Sequence, residues 1–155
     1  MKKIIIANWK MNPQTVKEAE KIFNLTEKSS TKQRTKNLEI VVCPPYIYTH
    51  LFSKRKNAAN KIKLGAQNCF WENEGAYTGE ISVKMLKALN CEYVIIGHSE
   101  RRINLKEDNE TINKKIKLAV SAGLKAVFCI GEHKRDDELN YFNFLKEEIE
   151  KGLNG

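Results

Sequence analysis

An α/β fold built from five parallel β/α units is predicted by three features of this 155-residue sequence. Short apolar runs recur and do not alternate with polar residues. Amphipathic helical stretches separate them. Polar residues follow each run directly.

The runs are Ile4-Ile5-Ile6-Ala7, Ile40-Val41-Val42-Cys43, Ile62-Lys63-Leu64-Gly65-Ala66, Tyr93-Val94-Ile95-Ile96-Gly97 and Ala126-Val127-Phe128-Cys129-Ile130. Most are rich in β-branched residues, as strands buried on both faces of a parallel sheet are. The first helix is expected from about Thr15 to Lys28, with Val16, Ala19, Ile22, Phe23 and Leu25 on or near one face. Thr31 to Asn37 reads as a polar connector. A second helix is expected from about Ile47 to Asn57. A third follows Ser82, whose hydroxyl can cap the turn carrying Met85, Leu86 and Leu89. A fourth runs from about Asn109 to Ala122 and stops at Gly123, a residue suited to a helix C-terminus. The last is expected from about Asp136 to Leu153, with Leu139, Phe142, Leu145, Ile149 and Leu153 spaced for one face. No linker interrupts the series, so residues 1–155 read as one domain.

Composition narrows the function classes. Apolar residues make up 41% and charged residues 30%, the balance of a water-soluble globular domain. No apolar run reaches the roughly 18 residues of a membrane span. The basic-then-apolar start is too short for a signal peptide, because Asn8 and Lys10 follow at once. Cys43, Cys69, Cys91 and Cys129 form no C-x-x-C pair, which argues against zinc. They read as free core thiols of a cytoplasmic protein. The formal net charge of +8 raises nucleic acid as a partner. However, the lysines are spread through helical segments such as Lys54 to Lys63 and Lys114 to Lys117, without interleaved aromatics. A solvated basic face is the preferred reading, with no nucleic acid and no membrane as partners. The N-x-T sequons at Asn24 and Asn109 fall in helical segments and read as chance matches.

In parallel α/β folds, ligands bind at the carboxyl ends of the strands. The polar residues there are Asn8, Lys10, Gln67, His98, Glu100 and Glu132. These are the residues an active face would gather.

Several of these strand ends carry longer motifs. They are Ala7-Asn8-Trp9-Lys10-Met11-Asn12, Gly65-Ala66-Gln67-Asn68, Gly75-Ala76-Tyr77-Thr78-Gly79-Glu80-Ile81-Ser82, Ile95-Ile96-Gly97-His98-Ser99-Glu100-Arg101-Arg102 and Cys129-Ile130-Gly131-Glu132. In this order and spacing they resemble the triosephosphate isomerase family, from Lys2 to about Leu153. The resemblance implies part of a TIM (β/α)8 barrel, completed by another chain or by oligomerisation. It also implies the glycolytic and gluconeogenic interconversion of dihydroxyacetone phosphate and glyceraldehyde 3-phosphate, with no cofactor and no metal.

The resemblance further implies roles. Lys10 is the cation beside the substrate, and an ammonium suits both a phosphodianion and an enediolate oxygen. Asn8 donates to the substrate and holds Lys10. His98 is the neutral electrophile, at the start of a helical turn, and the handling of such a histidine in this family is an established example. Glu100 is the second carboxylate of the site, placed to keep Lys10 charged or to shuttle protons. Ser99 is the expected N-cap and a substrate contact. Arg101 and Glu107 are expected to form a structural ion pair. Gly75, Tyr77, Thr78 and Glu80 belong to a loop that in the family enters a neighbouring subunit, which implies a two-fold dimer. His50 and His133 carry no role. A barrel of this type has eight units in about 250 residues. The resemblance therefore places the general-base glutamate, the lid and the phosphate-binding turns outside this chain. Activity is expected to need a C-terminal complementing fragment. The alternative is a non-catalytic half-barrel that self-associates through open strand edges.

Overall fold

The computed structural model describes residues 3–32, 37–55, 62–131 and 140–155. Expectations at Glu132, His133, the end of the second helix and the start of the last lie outside them. Among the described residues five strands form, β1 (Lys3–Asn8), β2 (Leu38–Cys43), β3 (Ile62–Ala66), β4 (Cys91–Ile96) and β5 (Lys125–Phe128). Six helices accompany them, α1 (Val16–Lys32), α2 (Tyr46–Ser53), α3 (Val83–Ala88), α4 (Ser99–Leu105), α5 (Asn109–Ser121) and α6 (Asn140–Gly152).

All pairings are parallel and link consecutive strands, in the order β1-β2-β3-β4-β5. The chain thus builds five parallel β/α units in a half-barrel, and each strand joins the growing edge of the sheet. One sheet face packs under the helices. Val42, Leu64, Val94 and Ile96 meet Phe23, Phe52, Leu86 and Ile112 there. The opposite, concave face carries Val41, Cys43, Tyr93 and Ile95, flanked by Ile6, Val127 and Cys129. β2, β3 and β4 are largely buried on both faces and leave no room for alternation, whereas β1 and β5, at the two edges of the sheet, are exposed or half-buried, which corrects the expectation of burial for all five runs. Gly65 lets the strands close up here, since an added Cβ would stand 2.5 Å from Cys43 Sγ and 3.0 Å from Val41. The four cysteines are free. Burial pushes the Cys43 thiol up to about 12, so it behaves as a core side chain.

Local signals explain several ends. Ser82 caps α3, accepting the Met85 N–H at 3.3 Å. Asp108 caps α5 through the Thr111 N–H at 2.8 Å. Gly123, at φ +74, closes α5 in the left-handed region that glycine tolerates. Two readings need correction. Helix α1 runs into the expected polar connector, because Ser30 is buried and its hydroxyl donates back to Glu27 O at 2.7 Å. Nor is every lysine of the 114–117 stretch solvated. Lys115 is buried and paired with Glu107.

Candidate active site

Three strand ends supply the site. Asn8 is the last residue of β1, and the next N–H, of Trp9, donates to Cys43 O on β2 at 3.1 Å. The chain then turns sharply, with Lys10 at φ +54. A left-handed conformation costs a non-glycine residue about 1–2 kcal/mol. Two side chains hold it. Asn8 Oδ1 accepts the Lys10 N–H at 2.9 Å, and Gln67 Nε2 at the end of β3 donates to Lys10 O at 2.9 Å. The same amide donates to Cys43 O at 2.9 Å. The backbone of Lys10 is therefore clamped on both sides of its Cα.

The Lys10 ammonium reaches Glu100 Oε1 at 2.7 Å. Both side chains are about half exposed, at 53% and 49%, so solvent screens the pair. The hydrogen bond from Lys10, together with its charge, holds the Glu100 carboxyl below the usual carboxylate range.

Strand β4 delivers the histidine. Gly97, at φ +76, turns the chain out of the strand, and His98 becomes the N-cap of α4. Its Nδ1 accepts the Glu100 N–H at 3.3 Å. An accepting nitrogen carries no proton, so the neutral ring keeps its proton on Nε2. Glu100 Oε2 lies 3.6 Å from Nδ1, too long for a hydrogen bond, and the carboxylate is engaged by Lys10 instead. The expected cap at Ser99 is corrected by this geometry. Ser99 is the first residue of α4, and the imidazole rather than the serine hydroxyl satisfies the Glu100 N–H.

Asn8, Lys10, Gln67, His98 and Glu100 share a concavity of about 200 Å³ with Met11, Tyr46, Asn68 and Arg101. Ser99 is not among its lining residues. A polar network underlies it. Arg101 Nε donates to Glu107 Oε2 at 2.9 Å, as the sequence led one to expect. Glu107 also pairs with Lys115, whose ammonium donates to Asn68 Oδ1 at 3.0 Å. The Tyr46 hydroxyl donates to Asn68 O, and burial pushes that phenol up. Tyr46 was not read from the sequence as a site residue. The available signal was its place just after Pro44-Pro45, at the β2 strand end.

The loop with Gly75, Tyr77, Thr78 and Glu80 is exposed and lies apart from this group. Gly75 and Gly79 take positive φ, and the Tyr77 ring packs against Phe70 with centroids 4.5 Å apart. A larger hollow, about 550 Å³, lies between the start of α5 and the end of α6. It carries no histidine and no hydrogen-bonded lysine–carboxylate–imidazole group, so chemistry rather than volume singles out the smaller one. Among the described residues no cluster of three metal-ligating side chains occurs. No described helix is long and apolar enough to cross a membrane.

Comparison with known proteins is consistent with this geometry. The family model described as triosephosphate isomerase matches residues 3–155. A triosephosphate isomerase of Dictyoglomus thermophilum is 50% identical over 156 residues, covering 99% of this chain and 61% of that protein. One from Aquifex aeolicus is 42% identical, covering 100% of this chain and 62% of that protein. The crystal structure of triosephosphate isomerase from Bartonella henselae superposes with a TM-score of 0.84 at 32% identity, covering 99% of this chain and 62% of that chain. The chain thus spans about three fifths of the length of the relatives it matches.

Proposed function

The chain belongs to the triosephosphate isomerase family, and we propose that it supplies the electrophilic half of an isomerase site for triose phosphates. One observation carries the reading. The lysine ammonium, the carboxylate and the imidazole converge from the ends of β1 and β4 in one concavity. In isomerisation a base takes a proton from the carbon beside the carbonyl, and negative charge develops on oxygen. Nε2–H of His98 would donate to that oxygen, the Lys10 ammonium would stabilise the same charge and the phosphate, and Asn8 would hold Lys10. Glu100 keeps Lys10 in place. Among the described lining residues it is the only carboxylate, and it is already paired; the general base is proposed to come from a complementing C-terminal portion, as the family resemblance implies. This chain alone is then inactive, since a missing base removes about two to four orders of magnitude. Its setting is the cytoplasm, and the loop with Thr78 would dock into a second copy beside that copy's Asn8 and Lys10.

The test is reconstitution. The chain is mixed with a fragment carrying the remaining units of a related isomerase, and turnover of glyceraldehyde 3-phosphate is followed. Turnover that disappears with Lys10→Ala or His98→Asn supports the proposal. A complex that binds triose phosphate without turnover defeats it. A second reading draws on the sheet edges. Among the described residues β1 and β5 each pair on one side only, and Ile4 and Ile5 are 50% and 53% exposed. Exposed apolar edges attract partners. A stable, active-site-silent homo-oligomer seen by light scattering would favour a self-associating half-barrel.

A further inference from the structure

We infer that Arg102 is a positioning residue for His98, its guanidinium gripping the Gly97 carbonyl that precedes the histidine and anchoring it to α6 through Glu148. Arg102 Nε donates to Gly97 O at 2.8 Å. The carbonyl on the other side, His98 O, accepts the backbone N–H groups of Arg101 at 2.9 Å and Arg102 at 3.2 Å, bonds that belong to the first turn of α4. The side chain therefore holds the peptide plane that precedes the imidazole, and the helix holds the one that follows. The guanidinium is itself fixed from three further directions. Nη1 donates to Asn109 Oδ1 at 2.6 Å and lies 3.1 Å from Glu148 Oε1, while Nη2 donates to Cys129 O at 3.4 Å. Glu148 Oε2 accepts the Gly131 N–H at 2.9 Å, so the same carboxylate also orients the turn after β5.

The environment gives this pair its leverage. The Arg102 and Glu148 side chains are 8% and 3% exposed, unlike the half-exposed Lys10–Glu100 pair. Only a planar guanidinium, with five donors in a fixed fork, can serve the Gly97, Asn109 and Cys129 oxygens at once while its charge lies against Glu148; a lysine offers a point charge. Gly97 is matched to it, since a Cβ there would stand 3.1 Å from both Arg102 Nη2 and Cys129 O. Neighbouring Arg101 turns instead to Glu107. The two arginines thus divide the work, one bracing the site floor and one bracing the histidine.

The inference rests on the role proposed for His98. Its test reads the imidazole itself, so it stands or falls separately from turnover. The full chain is labelled with ¹⁵N-histidine, and long-range ¹H–¹⁵N spectra are recorded at neutral pH, with His98 assigned by its loss in His98→Asn. Wild type is expected to show Nδ1 unprotonated and Nε2 protonated. In Glu148→Gln and Arg102→Lys the two ring-nitrogen signals are expected to converge, as the ring leaves its cap and samples both tautomers. Leu86→Ala, a core change elsewhere, serves as a control and is expected to lower the melting temperature without moving them. Wild-type ring signals in variants that lose as much stability as Leu86→Ala would overturn the inference, leaving the pair purely structural. Where a variant fails to fold, Asn109→Ser removes one guanidinium acceptor and supplies the reading. A smaller convergence in the same direction supports the inference, and none overturns it.

Discussion

Replacing Lys10 by glycine is expected to leave the chain more stable than replacing it by alanine, the reverse of the usual order. Both variants lose the ammonium and its contact with Glu100, so that loss cancels in the comparison. What remains is the backbone at φ +54. Alanine keeps a Cβ and bears the left-handed penalty of about 1–2 kcal/mol. Glycine avoids it but gives up about 0.5–1 kcal/mol through the greater freedom of its unfolded chain. The difference comes to about 0.75 kcal/mol in favour of glycine at the middle of both ranges, which span about 0–1.5 kcal/mol. At about 2–4 °C per kcal/mol for a domain of this size, the melting temperatures should differ by a few degrees. Urea unfolding followed by tryptophan fluorescence provides the measurement, with Trp9 adjoining the substituted residue. Alanine equal to or more stable than glycine would refute the reasoning. Lys10 would then occupy its turn without strain, and the clamps from Asn8 and Gln67 would have no conformation to enforce.

Two further outcomes follow from buried charge and capping. Glu107→Gln leaves the Lys115 ammonium buried without its carboxylate and is expected to cost about 3–5 kcal/mol. The double variant Glu107→Gln, Lys115→Met should recover much of that loss in chemical denaturation, and a double variant no more stable than the single one would count against the pairing. Asp108→Ala removes the cap of α5 and should cost about 1 kcal/mol at neutral pH. The Asp108 carboxyl is held below its usual range, chiefly by the Thr111 N–H. Its contribution is thus present above the unfolded value near 3.8 and is lost as pH falls through the lower folded one. Wild type and variant stabilities should therefore converge on acidification, and a gap that persists to low pH would contradict this.

Much of the fold was legible because it depends on local pattern. Strands buried on both faces give unbroken apolar runs, and Ser82 and Gly123 mark helix ends through their own chemistry. The parts that were not legible depend on distant partners. Lysine at position 10 carries no signal for a left-handed backbone, and the Gln67 amide that holds it stands 57 positions away. Lys115 looks like a solvated helix charge until α5 packs over Asn68 and sets its ammonium against Glu107. Serine is a usual cap, so the sequence points to Ser99. The structure prefers the imidazole because His98, at φ −58 and ψ 139, is the last non-helical residue. The strand ends point to Asn8, Lys10, Gln67, His98 and Glu100, which the structure brings into one concavity; the lining by Tyr46 and the bracing by Arg102 and Glu148 required the packing.

The bond between Lys10 and Glu100 spans 90 positions, whereas the sheet pairs only consecutive strands. Closing so long a loop directly costs about 4 kcal/mol plus a constant. A surface ion pair worth at most about 1 kcal/mol cannot drive that closure. The pair forms at little cost only once β2, β3 and β4 have docked in turn and brought the two ends together. A chain emerging from its N-terminus therefore presents the lysine long before the histidine, and the two meet only after four strands are in place. Partly folded molecules carry no such cluster, so contact between Lys10 and Glu100 marks chains whose sheet is already assembled through β4.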